Sequence, residues 1–268
     1  MFGLALTALA FSGPKSKGPA LAKSLALRGG GVSTDVLYNS QLGLTLLTGL
    51  QGWLAPVSTM EMYGKKDVSA EESTFVRVLS GMNVVAAATL VAAKTSLDAA
   101  VTTCALAWAL AISYNIPIFE KFDVPKPPLV SFIVLMGAAG AAAGQGLLPA
   151  KWAFYFVVPL FLIAISVGEL LQQDKVLDMY NMPGKCTPLV KSLMLNFDMT
   201  KLAVGLFLLT TKITGKTGLG LAAMSATILA NVILTALKAE DTGVEKGGLI
   251  FWGVVQAAIG TLAYLNEK

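Results

Sequence analysis

The sequence predicts an all-α fold: a polytopic transmembrane helical bundle of about eight spans, arranged as two parallel four-helix repeats. Three observations point there. Apolar residues make up 55% of the 268 residues and charged residues only 13%, with a mean hydropathy of +0.69. Ordinary soluble domains carry about 25% charged residues, so lipid is the natural solvent for this surface. Eight apolar stretches divide the chain, and spans of about 20 residues each use most of its length. The second four stretches retrace the first four: Tyr63 and Tyr180 each follow a Met, Lys94 and Lys212 each close the next apolar run, and Leu129 and Leu249 open the last run of each half. The intervals are 31 and 35 residues in the first half and 32 and 37 in the second, and Leu129 to Gly140 and Leu249 to Gly260 both cover 11.

Residues 1–34 read as a targeting leader or disordered tail, 35–149 as the first four-helix membrane unit, and 150–268 as the second. The leader carries Lys15, Lys17, Lys23 and Arg28 and no acid before Asp35, which is the chemistry of an organellar transit peptide. Its Ala10-Phe11 junction resembles the cleavage context of plastid-directed precursors in algae with secondary plastids, which implies a plastid membrane, with a mitochondrial or other cellular membrane as the alternative.

The first span is expected near Val36–Val57, ended by Pro56 because proline breaks or kinks a helix. A charged loop, Glu61–Glu72, follows. Phe75–Ala93 and Leu97–Tyr114 form a hairpin about Lys94-Thr95-Ser96, and a proline-rich connector, Pro117–Pro128, leads to the fourth span, Leu129–Leu148. In the second half the spans are Trp152–Leu171, Ser192–Thr211, Leu219–Leu237 and Gly247–Leu265, with a long polar loop over Gln172–Lys191 and a tight turn over Lys212–Lys216. Four spans per half is an even number, so both halves insert the same way up. All longer loops then share one face, which has 11 Lys/Arg and 13 Asp/Glu when Arg77, Glu169, Asp198 and Lys201 inside the spans are counted with it, against Lys94, Lys151, Lys212, Lys216 and Lys268 on the other, plus four more if the leader stays. The Lys/Arg excess sets the long-loop face on the stromal or cytosolic side.

Composition also excludes chemistry. Histidine is absent, which removes His-ligated haem, a facial-triad iron and a Ser/His hydrolase from this chain. The net charge of +4 is scattered through loops without an aromatic and basic cluster, so no nucleic-acid partner is expected. Cys104 and Cys186 lack a paired spacing. No phosphate loop, paired-carboxylate motif or nucleophile elbow occurs.

Charges at membrane depth are functional candidates because their desolvation is costly. Glu169, Asp198 and Lys201 are the charged ones. Asp198 and Lys201 lie three apart on one helical face and can pair, and Glu169 lies near a helix end, within reach of the interface. Asn83, Gln145, Asn231 and Gln256 fall nearer the middle of apolar runs, where an amide bonds a neighbouring helix or a ligand. The candidate ligand or transport set is therefore Asn83, Glu169, Asp198, Lys201, Asn231 and Gln256, with no catalytic or metal set and no identified cofactor. Tyr63 and Tyr180 are candidates for lining two related cavities or anchoring at the interface. Small residues from Gly137 to Gly144 favour close helix contact. The run from Glu72 to Arg77 resembles the carboxylate-arginine pairing of light-harvesting helices, although Phe75 stands where those helices carry Asn or His.

Each half resembles the small four-helix membrane proteins of the DoxX-like group. The residues that carry this are Gly43, Gly49, Gly52, Pro56 and Met62-Tyr63-Gly64, over about residues 37–145; in residues 152–265, Met179-Tyr180-Asn181 departs from the pattern. The resemblance implies association with quinone or redox subunits and supplies no active site. Three function classes follow: a scaffold, accessory or lipophilic-ligand-binding subunit without catalysis; a secondary transporter with a site between the repeats; and a membrane enzyme acting on a lipid or isoprenoid. The partners are the lipid bilayer, with other membrane subunits or a lipophilic small molecule beyond it. A cavity containing the buried charges or amides favours ligand binding or transport, and a dry interface favours a scaffold.

Overall fold

The computed structural model describes residues 32–121, 123–147, 151–179 and 186–268, with 151–156, 177 and 179 described by backbone only. The leader up to Gly31 and Tyr180 lie outside the described residues. The described chain is helical, with no strand among those residues. Its elements are α1 (Thr34–Leu54), α2 (Pro56–Met62), α3 (Ala70–Ala93), α4 (Leu97–Lys121), α5 (Lys126–Gly144), α6 (Lys151–Leu171), α7 (Gln173–Met179), α8 (Pro188–Thr214), α9 (Thr217–Leu237), α10 (Ala239–Thr242) and α11 (Lys246–Leu265). Six of them, α3, α4, α5, α8, α9 and α11, are long and apolar enough to cross a membrane.

The exposed side chains are those that hydrocarbon accepts. Leu110 on α4, Val134 on α5, Ile233 on α9, and Ile250 and Phe251 on α11 are all exposed. Large contiguous apolar surface of this kind is rare on soluble monomers. On α1 the buried residues are Leu37 and Tyr38 near its start and the polar and small Gln41, Thr45, Gly49 and Gly52 further along, while Val36, Leu47 and Leu54 are exposed. Past Tyr38, this helix buries polar and small side chains and exposes large apolar ones.

The helix ends follow local chemistry. α3 opens with a capping box, Ser69 accepting from the Glu72 N–H (3.1 Å) and Glu72 accepting from the Ser69 N–H (2.9 Å). Thr187 caps α8, with Pro188 in its first turn, where the missing N–H costs no hydrogen bond. α8 stops at Gly215, whose φ of 68° suits glycine. The expected boundaries move in several places, α3 beginning at Ala70 rather than Phe75 and α5 at Lys126 rather than Leu129. Pro56 does not end the first helix outright: after a break at Ala55, α2 carries the chain on to Met62. Pro117 sits inside α4, which runs to Lys121, so the connector before α5 is shorter than expected. The long loop after α6 contains α7, and α8 begins before Ser192 and ends past Lys212.

Packing runs between sequence neighbours. α1 packs on α3, α3 on α4 and α4 on α5; likewise α6 packs on α8, α8 on α9 and α9 on α11. The two sets meet mainly where α3 lies against α8, with smaller contacts of α1 with α9 and α11, and of α6 with α4 and α5. The starts of α3 and α8 coincide, because Thr187 Oγ1 donates to Glu72 Oε1 (2.9 Å). At that same face the Glu245 N–H donates to the Tyr63 carbonyl (2.7 Å). At the other face Lys94 donates to the Asn39 amide oxygen, and Lys216 Nζ to the Glu267 carbonyl (2.6 Å). α3 and α8 therefore run in the same direction.

Close approach is supplied by glycine at the helix crossings. A Cβ on Gly140 would fall 2.7 Å from Leu106 of α4, so the small-residue face of α5 packs within the chain at this point. A Cβ on Gly205 of α8 would lie 3.0 Å from the Pro159 carbonyl of α6, whereas nothing stands within 4 Å of one on Gly43. Gly205→Val is expected to destabilise the bundle by about 1–3 kcal/mol, and Gly43→Ala to leave it unchanged or gain up to about 1 kcal/mol from helix propensity. Thermal unfolding in detergent checks both; equal midpoints for the two variants would contradict the close α6–α8 crossing.

Candidate functional site

The Gly205 crossing sets the geometry of the most unusual cluster in the bundle. It holds α6 against α8 so that Glu169, two residues before the end of α6, faces Asp198 and Lys201. At 1.5 Å per residue, Asp198 and Lys201 stand roughly 15 and 20 Å along α8, well inside it. Lys201 Nζ pairs with Glu169 Oε2 and with Asp198 Oδ1, the latter at 2.8 Å. The ammonium also sits 4.6 Å from the centre of the Phe197 ring, a cation–π contact. The side chain of Lys201 is only 3% exposed, with Asp198 at 10% and Glu169 at 19%.

Asp198 and Lys201 thus pair along one helix as expected, but Glu169 does not extend to the interface. It turns inward to the same ammonium. The physical reason is the length of α8: this helix begins above the end of α6, where Gln173 Nε2 donates to the Lys191 carbonyl (3.0 Å), so Glu169 faces α8 while Leu171, on the other side of that last turn, is exposed.

These charges form one wall of a partly open cavity of about 500 Å3 lined by α3, α4, α5, α6 and α8. Elsewhere its walls are mostly apolar, with Phe75, Phe119, Phe132, Phe161 and Leu193 among the lining side chains and Ser131 and Gln172 as the polar additions. The volume falls within the range of small-molecule sites, about 300–1,000 Å3. Two carboxylates and one ammonium leave an excess of acceptors at one end of an oily chamber. That arrangement can hold a hydrogen-bond donor or a positive group while its surroundings hold hydrocarbon.

The six candidate residues separate into two groups. Glu169, Asp198 and Lys201 come together in this cavity. Asn83, Asn231 and Gln256 line a second one, between α1, α3, α8, α9 and α11. Gln145 belongs to neither, since it is the exposed C-cap residue of α5 rather than a mid-span amide. Tyr63 lines the second cavity, where burial raises its phenol above the ordinary tyrosine range and a hydrogen bond with Trp252 partly opposes this. Glu72 does not pair with Arg77, which is exposed; Glu72 serves the α3 cap, with Lys65 at 3.9 Å. Both cysteines are free. No group of three metal-ligating side chains occurs among the described residues.

Sequence reasoning missed Gln41, Thr45, Asn196 and Thr200, which also face the second cavity. Gln41 with Thr45 and Asn196 with Thr200 are each four apart on one helix face, the spacing that could have marked them.

This is an all-helical integral membrane protein by composition, helix length and the apolar character of its exposed side chains. No protein-family profile, curated protein or solved structure matches the chain.

Removing one partner from a buried ion cluster strands the others, at a cost of about 3–5 kcal/mol. Lys201→Met is therefore expected to lower stability by that order, and the triple change Glu169→Gln, Asp198→Asn, Lys201→Met to recover most of the loss. Unfolding midpoints in a mild detergent provide the check. A Lys201→Met protein as stable as the parent would mean that the ammonium does not hold the carboxylates together.

Proposed function

We propose that the protein binds a lipophilic small molecule bearing a hydrogen-bond donor or a positive charge, in the cavity walled by Glu169, Asp198 and Lys201. The observation that carries this reading is the placement of a surplus carboxylate at one end of an aromatic and aliphatic chamber. A scaffold gains nothing from such a chamber, whereas an amphiphile is matched at both ends. Binding without catalysis is the role assigned, as an accessory or carrier subunit of its membrane.

The architecture we assign is eight spans in two parallel four-helix repeats of DoxX-like type. Its support lies in the order of packing, which is the same in α1, α3, α4, α5 as in α6, α8, α9, α11, and in the shared direction of α3 and α8. The cavity walls add to it. Counted back from Lys94 and from Lys212, Ser80 falls opposite Asp198 and Asn83 opposite Lys201; Ser80 and Asn83 line the second cavity, as Asp198 and Lys201 line the first. Val124, Leu129 and Phe132 of the first cavity have counterparts in Val244, Leu249 and Trp252 of the second. Two cavities at matching places where the repeats meet favour, as a second reading, a secondary transporter. The composition of the leader supports a plastid membrane.

Two experiments test these readings. After purification of the full chain in mild detergent, organic extraction and mass spectrometry are expected to recover one small lipophilic species, depleted about tenfold or more in Glu169→Gln, Asp198→Asn protein. An extract identical to bulk lipid in both would refute binding at this cavity. For the repeat, cysteines placed at Lys66 and Lys175 in a chain without Cys104 and Cys186 are expected to react with an impermeant maleimide from one side of the membrane. Cysteines at Lys94 and Lys212 should react only from the other. Labelling of Lys66→Cys and Lys175→Cys from opposite sides would rule out parallel repeats.

A further inference from the structure

The second cavity has a volume of about 250 Å3 and a chemistry unlike the first. None of the described residues that line it carries a charge. Gln41, Asn83, Asn196, Asn231 and Gln256 bring five side-chain amides to its wall, and Thr45, Ser80, Ser192, Thr200 and Thr235 add hydroxyls. Trp252 is among the lining side chains as well.

Membrane helices ordinarily pair such groups across their contacts. Some are paired here: Thr200 Oγ1 donates to Asn83 Oδ1 (3.4 Å) and Thr235 Oγ1 to Asn196 Oδ1 (3.2 Å). Four others are not. Gln41 Oε1, Ser192 Oγ, Asn231 Oδ1 and Gln256 Oε1 are buried with no hydrogen-bond partner among the described residues. Gln41, Ser192 and Gln256 are at least nine-tenths buried, at 1%, 1% and 3% exposed. Native proteins seldom leave buried polar atoms unpaired, and four on the wall of one cavity mark a place where an occupant supplies the partners.

The character of the wall selects that occupant. Amide oxygen and nitrogen exchange places by a side-chain flip, so the wall offers donors and acceptors alike. Without a carboxylate it is a poor site for a divalent cation, and an ionised ligand would be buried with no counter-charge. Its volume equals that of about eight liquid waters at about 30 Å3 each, the scale of a single sugar ring. We propose that this cavity is a second binding site, for a neutral polyhydroxyl group held by Gln41, Ser192, Asn231 and Gln256. The group is a free sugar or polyol, or the sugar headgroup of a glycolipid.

The test uses the full chain in phosphatidylcholine nanodiscs. One arm measures equilibrium binding of tritiated galactose; the other compares thermal unfolding with monogalactosyl diacylglycerol against plain diacylglycerol. The expected result is saturable galactose binding, or stabilisation by the galactolipid alone. Either response should weaken about tenfold in Gln256→Leu and in Asn231→Leu and persist in Val134→Ala, a change on the outer face of α5. A response in the first arm only identifies a soluble sugar, and in the second only a glycolipid. Gln256→Met, which keeps the side-chain length, replaces Gln256→Leu if the latter is not monodisperse. No response in either arm, or one that survives substitution of both Gln256 and Asn231, overturns the proposal.

Discussion

Hydrocarbon offers no hydrogen-bond partner, so every polar side chain within a membrane span must find one in the protein or in something the protein encloses. The arrangement of this bundle follows from that constraint. On α1 it turns Gln41 and Thr45 inward along with Leu37 and Tyr38, and leaves Leu47 outward. On α6 and α8 it gathers Glu169, Asp198 and Lys201 into one cluster, because a lone charge at that depth costs several kcal/mol, whereas clustered charges share their desolvation. Glycine makes this possible. Without the close crossing at Gly205, α6 would stand further from α8 and Glu169 would lose its reach to Lys201.

The same constraint explains two cavities, one with charged and one with neutral polar lining, on either side of the α3–α8 contact. The first sets charges among hydrocarbon side chains, and the second sets uncharged amides and hydroxyls among them. If the halves descend from one unit, divergence has acted at matching positions, with Ser80 and Asn83 on one side and Asp198 and Lys201 on the other. A pair of sites that began alike would then have come to differ in charge while keeping their apolar floor, Leu129 and Leu249 among it.

Much of the fold was legible in the sequence, since apolar run length sets helix length in lipid. The turn at Lys94 and the spans from Leu97 and to Leu237 fall where the runs place them. Boundaries at prolines were not legible. A proline near a helix end, as at Pro117, removes one hydrogen bond but need not stop the helix, and only its surroundings decide. Of the site, the charged residues were legible as individuals because charge is rare in such runs, but their meeting was not: it depends on how far α8 extends above the end of α6, which residue order does not encode. The amide cavity was half legible. Asn83, Asn231 and Gln256 stood out within apolar runs, whereas Gln41 and Asn196 were hidden among the polar residues of α1 and the start of α8.

The function proposed for this bundle depends on α6 and α8 holding three charges together on the wall of one cavity. A density map at side-chain resolution, from protein in lipid nanodiscs, tests it most directly. The account predicts Lys201 between the carboxylates of Glu169 and Asp198, with density for an occupant beside them. A map with α6 splayed from α8 and Lys201 extended to the headgroup layer would contradict it.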